Sequence, residues 1–409
     1  MSPKCFGALL RRSATALSVV CLLLAAGAAA EKKYGPGVSD TEIKIGQTMP
    51  YSGPLSPYSS VGLTELAYLK MINEQGGVNG RNIDLISLDD SYSPPKTVEQ
   101  TRRLVESEHV LAIVSTLGTP TNTAIQKYLN ERKVPQVFLS TGATKWGDPE
   151  HFHWTMGWLP SYQLEAHIYA KYILAHFPAA KIAILYQNDD YGRDYVKGLK
   201  DGLGDKAKSL IVAEASYETT DPTIDSQIVS LQSSGANVFF DVTVAKFAAQ
   251  AVRRAYDIGW HPVHFLNSVG SSTGAVMKPA GLERAQGIIS AHYMKDATDP
   301  RWKDDPGMRD YLAFMKKHLP NLDTADRQTY QGYSIAQALV QALKQCGDDL
   351  SRENFMKQAA NLHALALSML LPGITVNTSP TNYFPIHQMQ LVKFEGDGWV
   401  LFGDVLDGT

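Results

Sequence analysis

The chain has 409 residues, of which 44% are apolar and 19% charged, which excludes a disordered polypeptide and asks for two domains rather than one core. A formal net charge of −3 excludes the basic face that a nucleic-acid binder needs. The first element is a leader: Lys4, Arg11 and Arg12 precede the apolar run "ALSVVCLLLAAGAAA", and Ala28 and Ala30 are small residues suited to cleavage before Glu31. This pattern predicts a secretory signal peptide over 1–30 rather than an uncleaved anchor, because the run is short for a spanning helix. "LRRSATAL" is a poor match to twin-arginine export, and the residues before Cys21 are wrong for lipid attachment. Cleavage leaves 35 basic against 41 acidic residues, net −6, with Cys346 as the remaining cysteine. One cysteine makes neither an internal disulfide nor a thiolate metal site.

After the leader, strand and helix patterns alternate. "EIKIGQTMP" (42–50) reads as a strand, "SSVGLTELAYLKMINEQGG" (59–77) as a helix, "NIDLISLDD" (82–90) as a strand and "SPPKTVEQTRRLVESE" (93–108) as a helix with prolines at its start. "HVLAIVST" (109–116), "TPTNTAIQKYLNERK" (119–133) and "VPQVFLST" (134–141) continue strand, helix, strand. Prolines, glycines and three tryptophans interrupt the pattern near 146–160, and it then restarts. Helices are expected at 162–177, 191–204, 221–235 and 245–259, with strands at 181–190, 209–217, 237–243 and 263–269. Another strand at 286–294 leads into helices over about 306–360, and the tail 387–405 reads as a two-stranded turn around Gly396-Asp397-Gly398. The fold class is α/β: two Rossmann-like lobes with parallel sheets.

In such sheets ligands bind beyond the carboxyl ends of the strands, so the residues found there are the candidates. Thr119-Pro120 is a good helix start whose free amides suit an anion. Residues 140–144 form a ledge of three hydroxyls and two small residues. There Gly142 allows close approach, and the amides of Ala143 and Thr144 with the Thr144 hydroxyl can donate to a carboxylate. Tyr58, in the loop after the first strand, and Tyr191, at a helix start in the second half, are aromatic walls with polar tips. Each feature alone also fits a plain cap, loop or packing role.

Catalytic and metal patterns are not found. "HFH" (151–153) lacks a third ligand, and Asp189-Asp190 would point to opposite faces of a strand. No P-loop, nucleophile elbow, H-E-x-x-H or dinucleotide fingerprint occurs. The reading is a binding protein without cofactor, metal or catalytic residues.

The stretch "INEQGGVNGRNIDLISLDDSYSPPKTVEQTRRLV", with "SGP" before it and "GTPTNTA", "STGAT" and "NDDYG" after it, resembles the periplasmic leucine/isoleucine/valine-binding protein family. The resemblance covers about residues 41–400. It implies the substrate-binding subunit of an ABC importer: a periplasmic monomer of type I periplasmic binding fold, joined by a multi-strand hinge, whose partners are a small carboxylate ligand and a membrane permease. It places the first lobe at 41–158 and 292–378, and the second at 159–291 and 379–409. Carried over position by position, it assigns ligand contacts to Tyr58, Thr119, Gly142, Ala143, Thr144 and Tyr191.

One position departs from the family pattern. The glutamate that holds an amino-acid ammonium falls at about Val269, where no carboxylate stands. A buried ammonium without a counter-charge is costly. The expected ligand is therefore a non-amino organic acid such as an aromatic carboxylate, with Trp158 and Tyr191 as stacking walls. The alternative is a branched-chain amino acid whose ammonium is taken by Asp241 or Asp190. A ligand-sensing receptor module and an exported enzyme are the readings from other classes.

Overall fold

Short β-rich runs that are apolar on both faces need cover from helices on both sides, and the chain supplies it twice. A computed structural model describes residues 32–407; the leader read at 1–30 lies outside the described residues. The first sheet is built from β1 (Glu42–Met49), β2 (Asn82–Asp89), β3 (Ile113–Val114), β4 (Gln136–Leu139) and β5 (Thr155–Gly157), in the order β2-β1-β3-β4-β5, all parallel. Its helices are α1 (Ser60–Glu74), α2 (Pro94–Arg102) and α3 (Thr119–Glu131).

The second unit begins with α4 (Tyr162–His176) and continues β6 (Ile182–Gln187), α5 (Asp190–Leu203), β7 (Ile211–Tyr217), α6 (Asp225–Ser233), β8 (Val238–Val242), α7 (Ala245–Asp257), β9 (Val263–Leu266) and β10 (Ile289–His292). Three further helices, α8 (Pro306–His318), α9 (Arg327–Cys346) and α10 (Arg352–Ala359), precede the hairpin β11 (Gln388–Glu395) and β12 (Gly398–Asp407). The second sheet runs β12-β11-β10-β9-β8-β6-β7, with only the hairpin strands antiparallel to their neighbours. Glu395 faces Gly398 across the two-residue turn Gly396-Asp397, where Gly396 has φ 65°.

The chain leaves the first sheet after Gly157, leaves the second after His292 for three helices, and rejoins it at Gln388. Helix α9 returns to pack along α1 of the first lobe. Gly332 permits that approach, since a Cβ there would lie 2.4 Å from the Val61 carbonyl oxygen. Tyr68, Phe314 and Tyr333 fill the seam with ring centroids 5.0–5.8 Å apart.

Several boundaries differ from the sequence expectation for local reasons. The strand expected at 109–116 shrinks to Ile113–Val114, because His109 (φ 55°) and Ser115 (φ 52°) adopt left-handed backbone on either side of it. The helix expected over 93–108 is α-helical to Arg102 and then widens into a π turn over Arg103–Ser107. Among the described residues no helix is long and apolar enough to cross a membrane.

Candidate functional site

The carboxyl ends of strands from both sheets converge on one cavity, and each delivers a different side chain. After β1, a 3-10 turn over Ser56–Ser59 presents Tyr58. After β3 the backbone reverses at Gly118, φ 99°, where a Cβ would come within 2.3 Å of the Tyr92 ring; glycine alone lets that ring lie on the turn. Helix α3 then starts at Thr119, whose hydroxyl pairs with that of Thr141 at 2.7 Å. After β6, Asp189 caps α5 by accepting from the amides of Tyr191 and Gly192 at 3.0 and 3.2 Å, which sets Tyr191 in the wall. Strand β9 leads to Ser268 and Val269, and β10 to Tyr293. The last contribution is the first turn of α9, with Asp326 as its cap and Arg327, Gln328 and Gln331 in the wall.

The cavity spans about 590 Å³ of space between protein atoms, part of it open to solvent. Five tyrosines (58, 92, 162, 191 and 293) and the apolar side chains of Leu55, Leu117, Leu159, Val244 and Val269 make most of its surface. Burial pushes the phenols of Tyr58, Tyr162, Tyr191 and Tyr293 up, so all four stay neutral near pH 7. Among the described lining residues no aspartate or glutamate occurs, and Arg327 carries the one formal charge. Arg327 is 7% exposed. Its guanidinium donates to the Ser268 carbonyl at 2.8 Å and the Ser271 hydroxyl at 3.1 Å, and its Cζ sits 5.2 Å from the Tyr293 ring centroid. Both of its hydrogen-bond acceptors are neutral, while the buried Asp296 carboxyl feels its charge from further away, so the guanidinium is suited to an incoming anion.

Polar groups of the wall are mostly satisfied within the protein. Tyr58 Oη accepts from the Ala245 amide at 2.8 Å and donates to the Val269 carbonyl at 3.2 Å, joining the lobes. Tyr191 Oη donates to Asn267 Oδ1 at 3.1 Å, and Tyr162 Oη to Thr141 Oγ1 at 3.3 Å. Ser268 is fixed from below by Glu165, which accepts from its amide and hydroxyl, both at 2.6 Å. Ser140 pairs with Ser115 at 2.8 Å, and Ser115 donates to buried Glu65 at 2.6 Å.

The residues expected from sequence divide into two groups. Tyr58, Thr119, Tyr191 and Val269 line the cavity. Gly142, Ala143, Thr144 and Trp158 do not. Tyr162 occupies the ledge: its amide donates to the Gly142 carbonyl at 2.8 Å, and a Cβ on Gly142 would sit 2.8 Å from its ring. The Thr144 amide and hydroxyl donate to Asp194 Oδ2 of α5 at 2.7 and 2.9 Å, so a carboxylate of the second lobe already takes these donors. Trp158 is fully buried, edge-on to Phe138 at 5.7 Å.

Neither proposed ammonium partner reaches the cavity wall. Asp241 is buried against His264 and Thr243 at 3.1 and 2.6 Å, and Asp190 pairs with Lys145 at 2.7 Å on the outer seam between the lobes. His151 pairs with Asp148, and among the described residues no group of three or more His, Cys, Asp or Glu side chains could hold a metal. Sequence reasoning missed Tyr92, Tyr162, Tyr293, Gln328 and above all Arg327. One signal was available: a cation in the first turn of a helix opposes the dipole, and "TADRQT" places one directly after the cap.

A family model described as periplasmic binding protein matches residues 42–398. The chain belongs to the periplasmic binding protein family. Among curated relatives in that family, Leu/Ile/Val-binding protein homolog 7 of Brucella suis is 26% identical over 314 residues, 74% of each chain. A branched chain amino acid ABC transporter structure from Thermus thermophilus with bound valine superposes with a TM-score of 0.80 at 16% identity, covering 90% of this chain and 97% of that one. A fatty acid ABC transporter substrate-binding protein from Thermomonospora curvata superposes with a TM-score of 0.76 at 22% identity, covering 92% and 95%. These periplasmic binding protein structures share the two-sheet α/β architecture described above.

Proposed function

We propose that this protein is the extracytoplasmic solute-binding component of an ABC importer, and that it captures a small organic carboxylate without an amine between its two lobes. The observation that carries the reading is Arg327: a buried cation at the wall of a cavity whose described lining residues include no acid. A carboxylate there gains charge-assisted hydrogen bonds. An ammonium there would meet a like charge and no counter-charge. The five tyrosines favour an aromatic body for the ligand. Of the two solved structures named above, one holds bound valine and the other is a fatty acid ABC transporter substrate-binding protein, so one architecture serves cargo with and without an amine.

Function in this reading is binding without chemistry. The ligand enters an open form, the lobes close, and the closed shape is presented to a membrane permease. A branched-chain amino acid is the weaker reading, because Asp241 and Asp190 are both paired away from the wall. The test is calorimetric titration of the refolded, ligand-free mature protein with 4-hydroxybenzoate and with leucine. Binding of the aromatic acid with leucine silent is the expected result; tight leucine binding overturns the reading.

A further inference from the structure

The unsatisfied polar groups of the cavity are not spread around its wall. The wall hydroxyls of Tyr58, Thr119, Tyr162, Tyr191 and Ser268 all have protein partners. Gln328 and Tyr293 differ. Gln328 is 5% exposed, and its Oε1 is buried without a hydrogen-bond partner. Tyr293 is 1% exposed, and its hydroxyl proton has no acceptor, because the group beside it is the Arg327 guanidinium, which can only donate. Both line the cavity, and both are neighbours of Arg327: Gln328 is the next residue of α9, and the Tyr293 ring is the one over which the guanidinium sits. Leaving a buried acceptor without a donor is costly, so a ligand that supplies the donor is preferred.

We infer that the cargo is a 2-hydroxy acid with an apolar, aromatic tail: its carboxylate meets Arg327 and the Tyr293 hydroxyl, and its hydroxyl donates to Gln328 Oε1. The inference rests on the carboxylate reading above and deepens it. Because Gln328 follows Arg327 in the first turn of α9 and the Tyr293 ring lies against the guanidinium, the second polar group of the ligand belongs nearer its carboxylate than the far end of the ring. A hydroxyl meets the amide whichever way the amide is turned, since it donates to Oε1 and accepts from Nε2. An ammonium on the same carbon would sit beside the guanidinium.

The test compares three ligands that differ only at the carbon beside the carboxylate: 2-hydroxy-3-phenylpropanoate, 3-phenylpropanoate and phenylalanine. Each is titrated calorimetrically into the refolded mature protein and into Gln328→Leu. In the wild type the hydroxy acid is expected to bind at least about tenfold tighter than 3-phenylpropanoate, with phenylalanine weakest. In Gln328→Leu the ratio of the first two affinities is expected to fall to about twofold. The wild-type ratio stands even if the variant does not fold. Equal wild-type affinities for the hydroxy and deoxy acids overturn the inference while leaving the carboxylate reading in place, as does an unchanged ratio in a folded variant. If 4-hydroxybenzoate binds and none of the three does, the inference alone falls. If phenylalanine binds tightest, both fall.

Discussion

Arg327 stands in the first turn of α9, where a cation is disfavoured by the helix dipole, and it is almost wholly buried there. In the proposed reading its task is to hold the ligand carboxylate. Arg327→Met is expected to weaken binding of the aromatic acid by roughly 100-fold or more, with Arg327→Lys intermediate, since hydrogen bonds to charged groups contribute about 1.5–3 kcal/mol each. Titration of both variants, with thermal unfolding as a control for folding, checks this; an Arg327→Met protein that binds as well as the wild type contradicts it. Beneath the cavity floor, burial pushes the Glu65 carboxyl up to about 8 from an ordinary 4.5, against the opposing hydrogen bonds from Ser115 and Gln47. Between those pH values the folded state holds a proton that the unfolded chain has released, so Glu65 makes stability fall as pH rises through that window. Urea unfolding at pH 5 and pH 8 should show the stability of Glu65→Gln gaining on the wild type at the higher pH. Parallel changes in the two proteins would remove Glu65 from that role.

At the scale of elements, the alternation of strands and helices was legible because each unit carries its own punctuation: prolines at the start of α2, the proline of α3 (whose cap is Gly118, without a side-chain bond, rather than Thr119), glycines after α1 and in the final hairpin. The short central strand β3 was overestimated because left-handed His109 and Ser115 are fixed by tertiary contacts that no local propensity announces. The cavity followed the same division. Tyr58, Thr119 and Tyr191 follow strand ends, where a sequence reading looks first. Arg327 and Gln328 arrive on a helix far along the chain from Tyr58, Thr119 and Ser140 of the same wall, and that helix, α9, packs back onto α1. The ledge at 140–144 was read correctly as a row of donors, but the sequence does not say that Tyr162 and Asp194 fill it. The α9–α1 contact is therefore part of the site. Gly332→Ala is expected to destabilise the protein by about 1–3 kcal/mol in urea unfolding, because a Cβ placed 2.4 Å from the Val61 carbonyl forces the helices apart. Unchanged stability would mean the seam yields freely.

At the scale of the molecule, the lobes meet around the cavity through contacts that an opening of the lobes would break. Thr144 holds Asp194, Lys145 holds Asp190, and Ser272 holds Asp326 at 3.0 Å, which Ser60 also grips from within the first lobe at 2.5 Å. Apparent affinity depends on how far such contacts populate the closed form. Asp194→Ala is expected to enlarge the ligand-free protein in small-angle scattering and to weaken binding of every ligand by a similar factor, whereas Arg327→Met weakens carboxylates selectively. The same geometry yields two competing places for the ligand carboxylate: the guanidinium of Arg327, or the Ala143–Thr144 amides with Asp194 displaced. A crystal structure of the protein with an aromatic acid bound decides between them. The account predicts the carboxylate about 3 Å from the Arg327 guanidinium with the Thr144–Asp194 contact intact. A carboxylate seated on the Thr144 amide, with Arg327 turned away, would contradict it.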